Sequence, residues 1–154
     1  MGGAISSWIA SSERPGGFEM SRFAKFPKNL AVLQTPQLVD LFKQVSLAHG
    51  EANAEFQSVR ANRLIAKRYA LLAEMRRRPT DERPALFELY SHRHPQVRLN
   101  VATSTYALNP VRALAVMQQI KDSRLFPWAG DAAAHLTGLA DGTSKLPEDP
   151  ELRP

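Results

Sequence analysis

The chain has 154 residues, of which 44% are hydrophobic and 23% are charged, so it holds enough apolar material for one globular core. It contains no cysteine, which excludes disulfides, thiolate metal sites and cysteine nucleophiles. The formal net charge of +5 fits either a merely solvated basic surface or an acidic partner, such as nucleic acid, an anionic membrane or an acidic protein.

Residues 1–34 are predicted to form a flexible N-terminal extension, because glycine, proline and serine are frequent there. This segment lacks the features of a secretory signal, and no apolar run reaches the length of a membrane span, so we expect a cytoplasmic protein. Met1, Gly2 and Ser6 fit the loose N-myristoylation pattern, but a glycine-rich flexible start explains the same residues. Without a cysteine for a second acyl chain, a single lipid would anchor the protein only marginally.

Two helices are predicted before Pro79. Thr35 suits an N-cap and Pro36 a first helical position, so the first helix is expected to begin there and to end at Gly50. The second, spanning residues 51–78, is predicted to be the longest helix and to end before the proline. On the first helix, the residues at helical spacing are Leu38, Leu41, Phe42, Val45 and His49.

The second predicted helix has an apolar face, a basic face and one residue that belongs to neither. The apolar residues are Ala61, Leu64, Ile65, Leu71, Leu72 and Met75. The basic residues on the opposite side are Arg60, Arg63, Lys67 and Arg78. Arg68 projects from the middle of the apolar face, so we expect its side chain to reach the edge of that face or to meet a carboxylate of a neighbouring helix.

Proline marks the start of the next two helical segments. Asp81 can cap a short segment that has Pro84 in its first turn. Pro95 is predicted to begin a helix, and because threonine and serine lower its intrinsic propensity, packing must stabilise it. The residues expected on its inner face are Val97, Val101, Ala102, Thr105 and Leu108.

The last two predicted helices are separated by the sequence Phe-Pro-Trp at residues 126–128. The first begins at Asn109 and Pro110, and its candidates for burial are Ala113, Leu114, Val116, Met117 and Ile120. The second ends at Gly142, and the apolar residues that it carries are Ala132, Leu136, Leu139 and Ala140. Residues 143–154 are predicted to be a flexible tail, since they contain three prolines and no apolar period. No segment alternates as a strand would, so the chain is predicted to be all-α, with about five or six helices.

The segment LFELYSHRHPQVRLNVATSTYAL resembles the second helix of a HEAT repeat with the turn before it. Val97, Arg98, Ala102 and Leu108 match that helix, while His94 and Gln96 stand near the turn, where such repeats usually carry an acidic residue. Together with QLVDLFKQVSLAHGEA and NPVRALAVMQQI, this segment is similar to the bacterial family called domain of unknown function 2019. The resemblance implies a HEAT-like domain over residues 35–142, a short α-α superhelix, and no particular activity.

The sequence offers little for catalysis, metal binding or cofactor binding. His92 and His94 form the only close histidine pair, and with no ligand cluster nearby we favour a histidine that caps the following helix over a metal site. No nucleotide-binding glycine pattern or zinc-protease motif is present. We therefore expect a protein that is not an enzyme and has no cofactor or metal.

The expected function is protein binding, because stacked helix pairs form a concave surface suited to partner recognition. Within this class we expect an adaptor or immunity-like role in bacteria. The alternative is nucleic-acid binding through the basic face of the second helix. Trp128 is predicted to be a core residue rather than an exposed anchor. The candidate partner-binding residues are Arg60, Arg63, Lys67, Arg78 and Trp128.

Overall fold

The computed structural model describes residues 26–144 and residue 146, and all regular structure in this part of the chain is helical. The α-helices are α1 (Thr35–Ala54), α2 (Ser58–Arg77), α3 (Pro95–Ser104), α4 (Pro110–Ser123) and α5 (Trp128–Asp141). Two 3-10 helices span Leu30–Val32 and Arg83–Ser91. The predicted all-α stack of about five or six helices is confirmed. Residues 1–25 of the predicted extension, and residues 145 and 147–154 of the predicted tail, lie outside the described residues.

Helix α3 lies at the centre of the stack. It packs against α1, α4, α5 and the 3-10 helix Arg83–Ser91, while α1 pairs with α2 and α4 pairs with α5. Every residue of α3 except Arg98 is buried. A helix that is buried on all sides is normally apolar, so the polar side chains of α3 need hydrogen-bond partners inside the protein. None of the helices in the described part of the chain is long and apolar enough to cross a bilayer.

The helix starts predicted at Pro95 and Pro110 and the stop predicted at Gly142 are confirmed. Helix α3 begins at Pro95, and the Nδ1 atom of His94 caps it by accepting a hydrogen bond from the Gln96 backbone N–H at 3.0 Å. Helix α4 begins at Pro110, and the Asn109 side chain is its N-cap. Gly142 ends α5 with a φ of 79°, a left-handed conformation that favours glycine.

The boundary predicted at Gly50 is wrong, because α1 continues through this residue to Ala54. A Cβ atom at Gly50 would lie 2.6 Å from Cε1 of His94 and 3.0 Å from Cβ of Gln96. The glycine is therefore a point of close helix approach rather than a helix end. As a consequence α2 begins only at Ser58, and residues 55–57 form a turn where the sequence predicted helix.

Gly50→Ala is expected to destabilise the protein by about 1–3 kcal/mol, since the clash with His94 and Gln96 outweighs alanine's higher helix propensity. Gly130→Ala is the matched control, because a Cβ there meets only the Phe126 ring, at 3.7 Å. The control is expected to gain about 0.5–1 kcal/mol. Urea unfolding measures both, and a Gly50→Ala protein as stable as the Gly130→Ala protein would refute the close approach of α1 and α3.

The segment before α1 packs on α2. Both Leu30 and Leu33 accept hydrogen bonds through their carbonyl oxygens from Nη2 of Arg78, at 3.0 and 2.6 Å. Thr35 is the first residue of α1 rather than its N-cap, and its hydroxyl donates to Oε1 of Glu82 at 2.7 Å. The last part of the predicted extension, residues 26–34, is thus bound to the helical stack through the side chain of Arg78.

Candidate functional site

A polar cleft of about 370 Å³ opens between α1, α2, α3 and α5. Each of these helices contributes at least one polar side chain to its walls. The polar lining residues, here called the polar cleft, are His49, Asn53, Arg68, Tyr69, Gln96, Asn100, Thr103, Asp131 and His135. The apolar residues of the lining are Ile65, Leu99 and Ala134, so the cleft offers a small molecule mainly hydrogen bonds rather than apolar contact.

A chain of side-chain amides crosses the stack along one wall of the polar cleft. Asn53 Nδ2 donates to Gln96 Oε1 at 2.7 Å, and Gln96 Nε2 donates to Asn100 Oδ1 at 2.9 Å. Asn100 Nδ2 in turn donates to Ser46 Oγ at 3.0 Å and lies 3.3 Å from Nδ1 of His49. This chain, here called the amide network, provides hydrogen-bond partners for the buried Gln96 and Asn100 side chains of α3 and holds α1 against α3.

Arg68 is buried in the polar cleft without a carboxylate partner. Its side chain is 7% exposed, and Nη1 donates to Thr103 Oγ1 at 3.3 Å and to Ser104 Oγ at 2.9 Å. No Asp or Glu of the described chain pairs with it, and its buried Nε has no hydrogen-bond acceptor there. Both expectations for Arg68 are therefore wrong: the C-terminal turn of α3 approaches so closely that two hydroxyls meet the guanidinium instead.

Burial and the Arg68 charge keep the histidines of the polar cleft from ionising. Desolvation, and secondarily the Arg68 charge, lowers the pKa of His49 from 6.5 to about 4. The same two causes, in the same order, lower the pKa of His135. Burial raises the pKa of Asp131, the acidic residue of the lining, whose Oδ2 lies 3.4 Å from Asn53 Nδ2. At neutral pH the histidines thus add hydrogen-bonding capacity rather than charge to the cleft.

Arg68→Met is expected to stabilise the protein by roughly 1–2 kcal/mol. The free energy cost of burying the charge is larger than the stabilisation from the two hydrogen bonds to the Thr103 and Ser104 hydroxyls, and the substitution removes both. Arg68→Ala shares the loss of charge but leaves an unfilled space, so it separates charge from packing and is expected to be the less stable of the two. Urea unfolding at pH 7 measures both. A methionine variant clearly less stable than wild type would show that the guanidinium stabilises the unliganded fold.

A second feature is a set of exposed apolar side chains at one end of the stack. Phe56 and Val59 lie at the α1–α2 turn, and Leu125 and Phe126 lie at the α4–α5 turn. Both turns are at the same end, because Asn53 of α1 reaches Asp131 in the first turn of α5. These four side chains are here called the apolar end.

The residues predicted to bind a partner do not form one free basic surface. Arg60 pairs with Glu51 at 3.0 Å, and Lys67 lies over the Phe26 ring with Nζ 5.5 Å from its centroid. Arg63 is exposed. The other two residues are largely enclosed: Arg78 is held by Glu74, Glu82 and two backbone carbonyls, and Trp128 is 8% exposed with its ring 5.2 Å from that of His94.

The prediction that Trp128 belongs to the core is confirmed. The prediction that a turn histidine caps the following helix is confirmed for His94. Its neighbour His92 has an Nδ1 atom that accepts from the His94 backbone N–H at 3.0 Å. Across the described residues, no three His, Cys, Asp or Glu side chains are grouped so that they could hold a metal ion.

Residues 36–140 match a family model described as a domain of unknown function (DUF2019). The chain belongs to the DUF2019 family. The resemblance seen in the sequence is thereby confirmed. The chain is also similar to the protein RPA1889 from Rhodopseudomonas palustris CGA009, whose crystal structure it matches with 37% sequence identity and a TM-score of 0.70. That match covers 77% of this DUF2019 chain and 98% of the RPA1889 chain. None of the curated proteins matches it.

Most residues of the polar cleft escaped the sequence analysis. Arg68 stood out as a charge on an apolar face, whereas Asn53, Gln96 and Asn100 did not, because a lone amide on a helix carries little information. The sequence feature that could have identified these residues is a pair of polar residues one helical turn apart, repeated on helices that contact one another. The pairs in this DUF2019 chain are His49 with Asn53, Gln96 with Asn100, and Asp131 with His135.

Proposed function

We propose that this DUF2019 protein is a non-enzymatic protein-binding module of the HEAT-like type that acts in the cytoplasm. The proposal rests on one observation, the conformation and exposure of Phe56. An adaptor or immunity-like role, in which the domain occupies the surface of a bacterial effector, is the form of protein binding that we propose on the basis of fold resemblance.

Two properties of Phe56 lower the stability of the isolated protein. Its φ of 57° lies in the left-handed region, which disfavours residues other than glycine and asparagine, and its side chain is 87% exposed. A glycine at this position would form the same turn without backbone strain or exposed apolar surface. Phe56 occupies the left-handed position that ends α1, as Arg124 with a φ of 58° does at the end of α4. The exposure of an aromatic ring at this position supports a role in anchoring a partner.

The surroundings of the apolar end support a partner with an acidic rim around an apolar centre. Val59 and Arg63 lie one turn apart on the same side of α2, and Lys67 follows after a further turn. Arg124, which is exposed, immediately precedes Leu125 and Phe126. Interfaces with an apolar centre and a charged rim are the usual arrangement, and opposite charges in the rim accelerate association.

Phe56→Gly is expected to fold, to be more stable than wild type by about 1 kcal/mol, and to lose its protein partner. The measurement is affinity capture from the native cell with quantitative mass spectrometry. Val111→Ala is the matched control, because Val111 is 80% exposed in the first turn of α4, a helix's length from the α4–α5 turn. The proposal requires at least one protein that wild type and Val111→Ala retain and Phe56→Gly loses.

Two results would contradict this proposal. One is an identical set of captured proteins for wild type and Phe56→Gly. The other is tight binding of duplex DNA at low salt that weakens steeply as salt rises and is lost in Arg63→Ala, which would instead support the nucleic-acid alternative.

A further inference from the structure

We propose that the polar cleft binds a small zwitterion, an amino-acid-like compound whose carboxylate pairs with Arg68 and whose protonated amine faces Asp131. This inference concerns a small ligand and is independent of the protein partner proposed above. It follows from three features of the cleft, which are a buried cation without a carboxylate partner, the absence of other positive charge beside it, and a carboxylate towards the other end of the cleft.

The unpaired cation is Arg68. A buried guanidinium normally pairs with a carboxylate, because its desolvation is otherwise uncompensated. Here one nitrogen, Nη1, is bonded to the hydroxyls of Thr103 and Ser104, and Nε has no acceptor in the described chain. Arg68 also lines the cleft, so an anion that enters the cleft can balance the charge of the guanidinium, although the Nε atom itself is enclosed.

The anion is a monoanion. Of the side chains at the level of Arg68, His49 and His135 have lowered pKa values and are uncharged at neutral pH, so the guanidinium contributes the single positive charge. One carboxylate balances that charge, whereas a phosphate, which carries nearly two negative charges at pH 7, leaves an excess charge buried. The neutral imidazoles and the hydroxyl of Thr103 remain as hydrogen-bonding groups around the carboxylate.

Asp131 provides the carboxylate that binds the protonated amine of the ligand. This residue lies beside Asn53, which bonds to Gln96, whereas Arg68 bonds to Thr103 and Ser104 about two turns further along α3. The carboxylate and the guanidinium therefore stand towards opposite ends of the cleft. Asp131 forms no ion pair within the described residues, and its carboxylate lies 3.4 Å from the Asn53 amide. A protonated amine beside Asp131 would have that carboxylate as its acceptor, and the ligand and the cleft would each have zero net charge.

Isothermal titration calorimetry with the full chain at pH 7 tests the proposal. The probes are β-alanine, γ-aminobutyrate and 6-aminohexanoate as zwitterions of increasing length, butyrate and butylamine as compounds that carry one of the two groups, and inorganic phosphate. We expect the zwitterions to bind at least tenfold more tightly than butyrate, butylamine or phosphate. Absence of binding of every probe at millimolar concentration, or phosphate binding as tightly as the zwitterions, overturns the proposal.

Three variants assign the two ends of the site. Arg68→Met is expected to weaken zwitterion binding by more than tenfold, and Asp131→Asn is expected to weaken it by about tenfold while leaving butyrate binding unchanged. Thr103→Asp places a carboxylate beside Nη1 of Arg68, where it takes the ligand's position. That protein is expected to melt at a higher temperature than wild type at pH 7 and to lose zwitterion binding. Undiminished binding in Arg68→Met or in Thr103→Asp overturns the assignment of the carboxylate to Arg68.

Discussion

Lowering the pH from 7 to 4.5 is expected to destabilise the protein by about 4 kcal/mol, chiefly through two buried histidines. Burial lowers the pKa of both His49 and His94 from 6.5 to about 4. Above pH 6.5 neither the folded nor the unfolded chain binds a proton at these rings, whereas between pH 6.5 and 4 only the unfolded chain does. Stability is therefore full above pH 6.5 and is lost as the pH falls towards 4, at up to about 1.4 kcal/mol per pH unit for each histidine.

Urea unfolding at half-unit intervals between pH 7 and pH 4.5 measures this dependence. His49→Asn is the control, because an asparagine oxygen can accept the hydrogen bond from Asn100 and does not titrate. It is expected to remove one histidine's share of the slope while changing stability little at pH 7. The rest of the slope remains, because burial also lowers the pKa of His94 and of the partly exposed His92 to about 4. A wild-type stability that stays level between pH 7 and pH 5 would mean that the two rings are accessible to water.

Replacing Asn100 by leucine is expected to cost about 3 kcal/mol, although the two side chains have similar volumes. The amide of Asn100 contacts Gln96, Ser46 and His49, so its loss leaves polar atoms of all three without their partner in a buried wall of the polar cleft. An unsatisfied buried polar group is more costly than the net value of the hydrogen bond that it lost.

Gln118→Leu is the matched control for Asn100→Leu. The Gln118 amide also bonds to one residue four positions along its helix, Asp122 at 3.0 Å, but this pair is exposed on α4. The control is expected to change the free energy of unfolding by less than about 0.5 kcal/mol. Equal effects of the two substitutions would show that the amide network contributes no more than a surface hydrogen bond.

Helix boundaries were predictable from sequence where a single proline or glycine determines the local backbone conformation. Pro95 and Pro110 lack the backbone N–H that a first helical turn leaves unpaired, and Gly142 adopts the left-handed conformation that ends a helix. Gly50 and Phe56 show the opposite situation. Contact with His94 and Gln96 explains the glycine inside α1, and a strained phenylalanine forms the turn that glycine was expected to form. Both depend on tertiary contacts or on function, which a local pattern does not contain.

The buried face of α2 was largely predictable from sequence, whereas the polar cleft was not. Leu64, Leu71, Leu72 and Met75 are buried as their spacing indicated. Arg68 was recognised as anomalous, but its partners on α3 depend on how two helices that are distant in sequence approach each other. The amide network shows the same limit, since it joins side chains that are more than forty positions apart in sequence.

The central claim is that the helical stack encloses Arg68 in the polar cleft and offers it no carboxylate of its own. A crystal structure of the unliganded protein at neutral pH tests this most directly. The account predicts a guanidinium within hydrogen-bond distance of the Thr103 and Ser104 hydroxyls, with no Asp or Glu oxygen within about 4 Å. An Arg68 side chain that extends into solvent, or that pairs with an acidic residue of the same chain, would contradict it.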